Sequence, residues 1–278
     1  MPLFSQHTKY ANLLASLQGM RRVFVAFSGG ADSALLLYAA QQALGENVVA
    51  VTMVTPYTPK AETAGAMELA KTLRVRHQIV TRPLPEIIRE NPPDRCYLCK
   101  QALFGEITNL AKEQGVSHIL DGSNLDDQSD YRPGRRAVTE LGIRSPLLDA
   151  ALTKRDIRDI SREIGLSTWN LPAGACLLTR IPHGTCIKED ELARIDDGES
   201  YLRSLGFPAV RLRSHGDLAC IELPPDVITD CLTPALRESI VHQLRLLGYC
   251  RVAIDLAGYR MGNLNKPGIT HTGEGKQQ

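Results

Sequence analysis

The chain has 278 residues, of which 43% are hydrophobic, a formal net charge of +1 and seven cysteines. That length exceeds what one core usually organises and predicts two domains, while the near-neutral charge argues against a general nucleic-acid-binding surface. The start MPLFSQHTKY has no apolar core of signal-peptide length and no run of about 18 apolar residues occurs, so a cytoplasmic protein without a membrane partner is expected. An odd number of cysteines in such a chain favours metal or reactive thiols over a disulfide framework.

The first strong element is the apolar run VFVAF from Val23, a buried strand that leads into Ser28, Gly29, Gly30, Ala31, Asp32 and Ser33, with a helix expected over Ala34 to Leu44. Small side chains, hydroxyls and close backbone N–H groups at a helix N-terminus favour an anion such as phosphate. Asp32 would repel a bare polyphosphate, so a bridging Mg²⁺ is expected beside it. An ordinary strand-to-helix connection is the simpler alternative, but two glycines and two serines around an acid favour a Mg-nucleotide site. The chain lacks GxxxxGK[ST], which argues against γ-phosphoryl transfer of that type. SGGADS resembles the PP-loop. The resemblance implies an ATP pyrophosphatase, in which the loop grips the β- and γ-phosphates, a substrate oxygen attacks the α-phosphorus and pyrophosphate leaves.

Strand and helix signals then alternate: NVVAVTMV, a helix over Lys60 to Leu73, VRHQIV, a helix over Lys100 to Gln114, and SHILDG. The alternation predicts an α/β fold, a parallel sheet with helices on both faces. Ligands of such sheets bind beyond the C-terminal strand ends, so Met53 and Gly122 are candidates to line an adenosine pocket, with plain core packing the alternative for Met53. The polar loop SNLDDQSDYRPGRRAV follows, and its Asp126, Asp127, Asp130 and Arg132 fall where they could steer metal and phosphate; Arg132 is a nucleotide-binding candidate. A helix over Lys154 to Ile164 and a linker over Ser167 to Gly174 complete this part. The expected division is a nucleotide domain over 1–168, an α+β domain over 169–265 and a disordered tail over 266–278.

The second part opens with a helix over Lys188 to Leu205 and then changes to a period of two in FPAVRLR and DLACIEL. A hairpin turning at His215-Gly216 puts Arg213 opposite Leu218 and Arg211 opposite Cys220. Arg211, Arg213 and Glu222 then share one face and the aliphatic residues the other. A solvated sheet face is the simple reading of the arginines; their association with Glu222, and with Arg180 in the loop after Cys176, supports a phosphate-binding alternative. A helix over Pro234 to Leu247 and the strand CRVAIDL extend the domain.

Cys96 and Cys99 form a CxxC in DRCYLCK, between a Pro-rich loop and a helix, and Cys176 lies in PAGACLLTRIPHG, a loop able to fold back over the nucleotide. Three thiolates are one short of a closed zinc site, whereas a [4Fe–4S] cluster held by three leaves one iron open to bind sulfide. The alternatives are a structural zinc completed by His183 and a redox-active CxxC. Cys186, Cys220, Cys231 and Cys250 lie in apolar or strand contexts and read as small core residues.

SGGADS, LDG with DYRPG, the loop carrying Cys176, TRIPHGT, YLRSLGFPAVRLR and IELP together resemble the LarE family, the ATP-dependent sulfur insertases of nickel-pincer nucleotide cofactor biosynthesis. The likeness implies adenylation of a carboxylate of pyridinium-3,5-biscarboxylic acid mononucleotide, with AMP then replaced by sulfur. In the family's single-cysteine members the residue matching Cys176 gives up its own sulfur and becomes dehydroalanine. Cys96 and Cys99 depart from those members and match the three-cysteine branch, which implies a [4Fe–4S] cluster on Cys96, Cys99 and Cys176, with sulfide or another sulfur donor as partner. The likeness also implies that Arg180, Arg211 and Arg213, with Glu199 and Glu222, bind the substrate and its phosphate, that ATP and Mg²⁺ are the cofactors, and that the protein is a homo-oligomer. A PP-loop tRNA thiolase, an ammonia-using synthetase and a non-catalytic AMP- or zinc-binding protein are the competing readings.

Overall fold

The computed structural model describes residues 2–128, 134–172 and 174–259. Contacts divide the chain into two compact units, one of residues 1–178 and 182–196, the other of residues 179–181 and 197–278.

The first unit is built on four parallel strands, β1 (Val23–Ala26), β2 (Val48–Val54), β3 (Arg76–Thr81) and β4 (His118–Leu120), in the order β3-β2-β1-β4. Its helices are α1 (Pro2–Gln18), α2 (Ala31–Leu44), α3 (Lys60–Thr72), α4 (Arg95–Glu113), α5 (Gly134–Glu140), α6 (Pro146–Asp149) and α7 (Lys154–Glu163). Alternate strand residues serve opposite faces. Val23, Val25, Val48 and Ala50 pack with Leu13 and Leu17 of α1 and Leu36 of α2. Phe24, Val49 and Val51 pack with Ile107 and Ala111 of α4. Burial on both faces is why these strands read as continuous apolar runs.

Four features differ from the sequence reading. Helix α1 is not announced by its sequence, because the polar run SQHTK dilutes the spacing that Leu13 and Leu17 carry. Gly30, extended at φ −74° and ψ 165°, caps α2, so Asp32 and Ser33 occupy the first helical turn rather than the loop before it. Helix α4 begins at Arg95 rather than Lys100, which puts Cys96 and Cys99 one turn apart on a helix. Residues 169–172 and 174–178, which a boundary at 168 assigns to the second domain, lie in the first unit. Leu177 N–H donates to the Tyr57 carbonyl at 3.0 Å, Gly184 N–H to Asn91 at 3.0 Å and Ile187 N–H to Arg89 at 2.8 Å. The expectation of a disordered tail falls outside the described residues.

Helix α8 (Glu189–Ser204) runs across the division at Asp196 and Asp197. The second unit then carries β5 (Arg211–His215), β6 (Leu218–Glu222), α9 (Ile228–Cys231), α10 (Pro234–Leu246) and β7 (Arg251–Ile254). Strands β5 and β6 are antiparallel, and β7 adds parallel to β6. Leu202, Leu212, Ile221, Leu244 and Tyr249 form their core. The hairpin pairs His215 with Leu218, Arg213 with Cys220 and Arg211 with Glu222, so the turn is Gly216-Asp217, one residue later than expected. Gly216 has φ 64°, the value that tight hairpin turns demand at their first position. Moving the turn by one residue slides the pairing by two, so the expected face survives and the expected partners do not. No helix among the described residues is long and apolar enough to cross a membrane.

Helix α7 starts with a capping box: Asp156 N–H donates to Thr153 Oγ1 at 3.1 Å, and Thr153 N–H donates to Asp156 Oδ2 at 3.0 Å. Lys9 Nζ of α1 donates to the same carboxylate oxygen at 2.7 Å. Burial alone would raise the Asp156 carboxyl, yet the bonds from Lys9 and Thr153 hold it below its ordinary range. Asp156→Asn is expected to lower the unfolding free energy by about 1 kcal/mol at neutral pH. Because the folded carboxyl is depressed, its contribution is complete above the ordinary carboxylate range and is lost as pH falls through the folded value. Urea unfolding of both proteins checks this: the gap between them should narrow towards acid pH.

Candidate functional site

The phosphate loop is preformed at the end of β1. Phe27 N–H donates to the Val51 carbonyl at 2.8 Å, and Thr52 Oγ1 donates to the Phe27 carbonyl at 2.6 Å, fixing where the strand ends. Ser28 Oγ accepts from Gly30 N–H at 3.3 Å and lies 3.1 Å from Ser33 Oγ. No side chain caps α2, so its first-turn N–H groups are those an anion takes. Asp32 lies half-buried in that turn.

Two glycines bring other segments up to this loop, and a third brings the Cys176 segment up to α3. Gly29 has φ +79°, and a Cβ there would lie 3.1 Å from backbone and side-chain atoms of Ala66 on α3. A Cβ at Gly122, after β4, would lie 3.1 Å from Ser33 N. A Cβ at Gly174 would meet Glu62 Oε1 at 2.6 Å. Glu62 and Ala66 are one turn apart on α3, so this helix touches the phosphate loop with one residue and the Cys176 segment with the other. The loop after β4 is itself tied down: Asp121 is buried and accepts from Ser123 Oγ and Ser145 Oγ, each at 2.5 Å. Asp127 forms an ion pair with Lys154 at 3.3 Å, and Asp126 accepts from Lys154 N–H at 2.7 Å. Met53 is half-buried near the end of β2 and packs against the Phe24 cluster. Asp130 and Arg132 lie outside the described residues.

Tyr57, in the loop after β2, stands between Cys99 and the Cys176 segment. Tyr57 Oη lies 3.0 Å from Cys99 Sγ, and the Tyr57 carbonyl holds Leu177, the neighbour of Cys176. Burial pushes the Cys99 thiol up to about 11; the Tyr57 hydroxyl pulls it down, and Cys176 and Cys96 act on it as neighbouring charges. Burial likewise raises Tyr57 far above the ordinary phenol range, with Cys99 and Cys176 adding to the shift. Cys96 and Cys99 are one turn apart on α4, and Tyr57 links Cys99 to the residue after Cys176, all in the unit that carries the phosphate loop. Cys96 is exposed, Cys99 and Cys176 are half-buried, and none is in a disulfide.

Among the described residues no group of three His, Cys, Asp or Glu side chains converges on a point for a single metal ion. An iron–sulfur cluster needs thiols arranged around a larger body, and three thiols on two segments of one neighbourhood suit it in donor type. His183 does not suit zinc. Arg95 Nη1 lies 3.0 Å from His183 Nδ1, and because a guanidinium only donates, that nitrogen's lone pair is engaged. Arg95 also donates to Asn91 Oδ1 at 2.6 Å, and Asn91 Nδ2 donates to the Pro182 carbonyl at 2.8 Å. This network clasps the start of α4 to the segment after the Cys176 loop.

The second unit collects the arginines. Arg180 forms a fork with Glu199 at 2.8 and 3.0 Å, both side chains almost wholly buried. Glu199 also accepts from Arg203 at 2.5 Å and from Leu212 N–H at 3.0 Å. Arg213 forms a second fork with Glu222 at 2.9 and 2.7 Å and donates to the Thr179 carbonyl. The arginine face is thus buried, not solvated: Arg211, Arg213 and Glu222 are 6, 8 and 6% exposed. Arg211 donates to the Val210 carbonyl at 2.9 Å and stacks over Tyr259 at 4.8 Å. Burial and then Arg180 lower its affinity for its proton. Forked guanidiniums of this kind are the groups that bind a phosphate bidentately.

The sequence reading did not single out Tyr57, Glu62, Arg95 or Asp121. Tyr57 has a signal, an aromatic residue between two prolines just past a strand end; Arg95 and Glu62 have none, because their roles exist only once distant segments meet.

Residues 7–90 match the family model described as NAD synthase. The chain is 40% identical, over 93% of its length and 94% of the other, to pyridinium-3,5-bisthiocarboxylic acid mononucleotide synthase of Lactiplantibacillus plantarum. It is 38% identical, over 93% of its length and 97% of the other, to an uncharacterised protein of Synechocystis. Over 59% of its length and 45% of the other, it is 29% identical to a probable tRNA sulfurtransferase of Methanothermobacter thermautotrophicus. Likeness to the first of these runs through both compact units, and with it the chain belongs to the LarE family, enzymes of the sulfurtransferase type built on a PP-loop domain.

Proposed function

We propose that this enzyme adenylates a carboxylate of pyridinium-3,5-biscarboxylic acid mononucleotide with ATP and replaces the AMP with sulfur. A carboxylate oxygen attacks the α-phosphorus, the bond from that phosphorus to the bridging oxygen breaks, and pyrophosphate leaves. A sulfur nucleophile then attacks the acyl carbon, AMP departs with the bonding pair, and a thiocarboxylate remains. A second round treats the other carboxylate. Ser28, Gly29, Gly30 and Ser33 hold the ATP phosphates, with Asp32 on Mg²⁺ and Met53, Gly122 and Arg132 about the nucleotide. Arg180, Arg211 and Arg213, with Glu199 and Glu222, bind the substrate and its phosphate. Cys96, Cys99 and Cys176 would hold a [4Fe–4S] cluster, whose open iron, when bound, carries sulfide for repeated turnover. In this reading the enzyme works in the cytoplasm as a homo-oligomer.

The observation that carries the reading is Tyr57, bonded to Cys99 by its hydroxyl and to the residue after Cys176 by its carbonyl, with Cys96 one turn from Cys99 on α4, in the compact unit whose α3 touches both the phosphate loop and the Cys176 segment. Protein purified and reconstituted without oxygen should contain about four iron and four sulfide per chain, lost in Cys96→Ala, Cys99→Ala and Cys176→Ala. With ATP and the biscarboxylate, mass spectrometry should find AMP, pyrophosphate and several thiocarboxylates per chain. Multiple turnover that survives loss of the cluster would reject the cluster. One thiocarboxylate per chain, with Cys176 left as dehydroalanine, would make Cys176 the donor. Thiolation of bulk tRNA with a steep salt dependence and no thiocarboxylate would overturn the substrate.

Two substitutions separate the halves of the reaction. Gly29→Ala puts a Cβ at positive φ and against Ala66, a strain of about 1–2 kcal/mol, and pyrophosphate release should fall at least tenfold while the iron content stays. Arg211→Gln should raise the KM for the biscarboxylate at least tenfold and leave ATP affinity unchanged, read by steady-state kinetics and calorimetry; an unchanged KM would reject the phosphate assignment.

A further inference from the structure

We infer that Tyr57 is the positioning residue of the sulfur-handling site, holding Cys99 by its hydroxyl and the Cys176 segment by its main chain. The inference rests on the proposed sulfur transfer and deepens it. Tyr57 belongs to neither cysteine-bearing segment: it lies in the loop after β2, Cys99 is on α4 and Cys176 is in the loop before Thr179. The residue is 3% exposed, and its hydroxyl is 3.0 Å from Cys99 Sγ. Its carbonyl accepts from Leu177 N–H at 3.0 Å, which fixes the backbone directly after Cys176. The two bonds use different atoms of one residue, so each can be removed without the other.

The bond to sulfur has a direction once the thiol acts. A sulfur that binds iron or attacks an acyl carbon is a thiolate, which cannot donate, so the phenol O–H becomes the donor. In a buried setting such a bond lowers the energy of charge on sulfur and fixes the sulfur lone pairs. A donor to a cluster thiolate favours the reduced, more negative cluster and raises its reduction potential. Outer partners of this kind commonly matter 10–100-fold in activity or affinity. The Leu177 bond acts on position alone. It keeps Cys176 near Cys99 although 76 residues separate them in the chain.

The test uses the full chain, reconstituted without oxygen, as wild type, Tyr57→Phe and the protein with 3,5-difluorotyrosine at position 57. Phe removes the donor and keeps the ring and the main-chain anchor; the fluorinated ring keeps the hydroxyl and makes it a stronger donor. The expected result is wild-type iron content in all three, a cluster midpoint potential ordered Phe below wild type below difluorotyrosine, and a sulfur-transfer kcat about tenfold lower in Tyr57→Phe. KM for ATP should not move. Equal potentials and equal kcat in the three proteins would overturn the inference. If Tyr57→Phe unfolds, the difluorotyrosine protein against wild type decides by the same potential shift. If wild type binds no iron, the cluster fails and Tyr57 is judged on one round of sulfur release from Cys176: slower release in Tyr57→Phe supports the anchoring role, and an unchanged rate rejects it.

Discussion

Close backbone packing at Gly29 and Gly122 is the constraint on which the first unit's chemistry rests. Each glycine admits a backbone that a Cβ would crowd, Ala66 and Ser33 in turn, while Gly174 leaves room for the Glu62 carboxylate. Residues on α3 press on the phosphate loop and on the Cys176 segment, while the turn after β4 presses on the start of α2. Such packing leaves little room for rearrangement, since a dense interior responds to a misplaced atom by shifting whole elements. The parallel sheet supplies the rest of the frame, because its strands all point one way and their following loops gather at one end.

The thiol environment follows from that frame. Cys99 lies beside buried Tyr57; burial raises the thiol, and the Tyr57 hydroxyl and the Lys100 charge act against that rise. An ionised state therefore has to be drawn out by a positive centre or a donor. The CxxC begins a helix, whose N-terminal dipoles favour negative charge; the Asn91, Arg95 and His183 clasp fixes that helix start and uses His183 for structure instead of metal binding.

In the second unit the arginine forks carry a cost and a use. Burying ion pairs such as Arg180 with Glu199 and Arg213 with Glu222 gains little stability over apolar packing, but removing one partner leaves a charge stranded. Glu199 receives two arginines and a backbone N–H, which locks β5 to α8. The arginine geometry is then set by the forks themselves, so a ligand bound there need not order long side chains.

The sequence alone determined the alternation of strands and helices, the phosphate loop at the end of β1, the CxxC and the two faces of the hairpin, because each is written in residues that are neighbours or spaced by a fixed period. It also carried the family likeness, since SGGADS and the arginine strand are local words. It misplaced the starts of α2 and α4 by a few residues, where capping by Gly30 and packing of the CxxC turn outweighed local propensity. It left α1 unmarked, because the apolar spacing there is thin, and it missed the hairpin register by two, which the positive φ of Gly216 decided. Which residues meet was settled only by the tertiary structure: Tyr57 with Cys99 and Leu177, Arg95 with His183, Arg213 with Glu222. The Tyr57 and Arg95 contacts join segments tens of residues apart, and chain spacing holds no information about them until the core has folded and burial has made their hydrogen bonds obligatory; for Arg213 and Glu222, spacing gave the shared face and the folded register gave the fork.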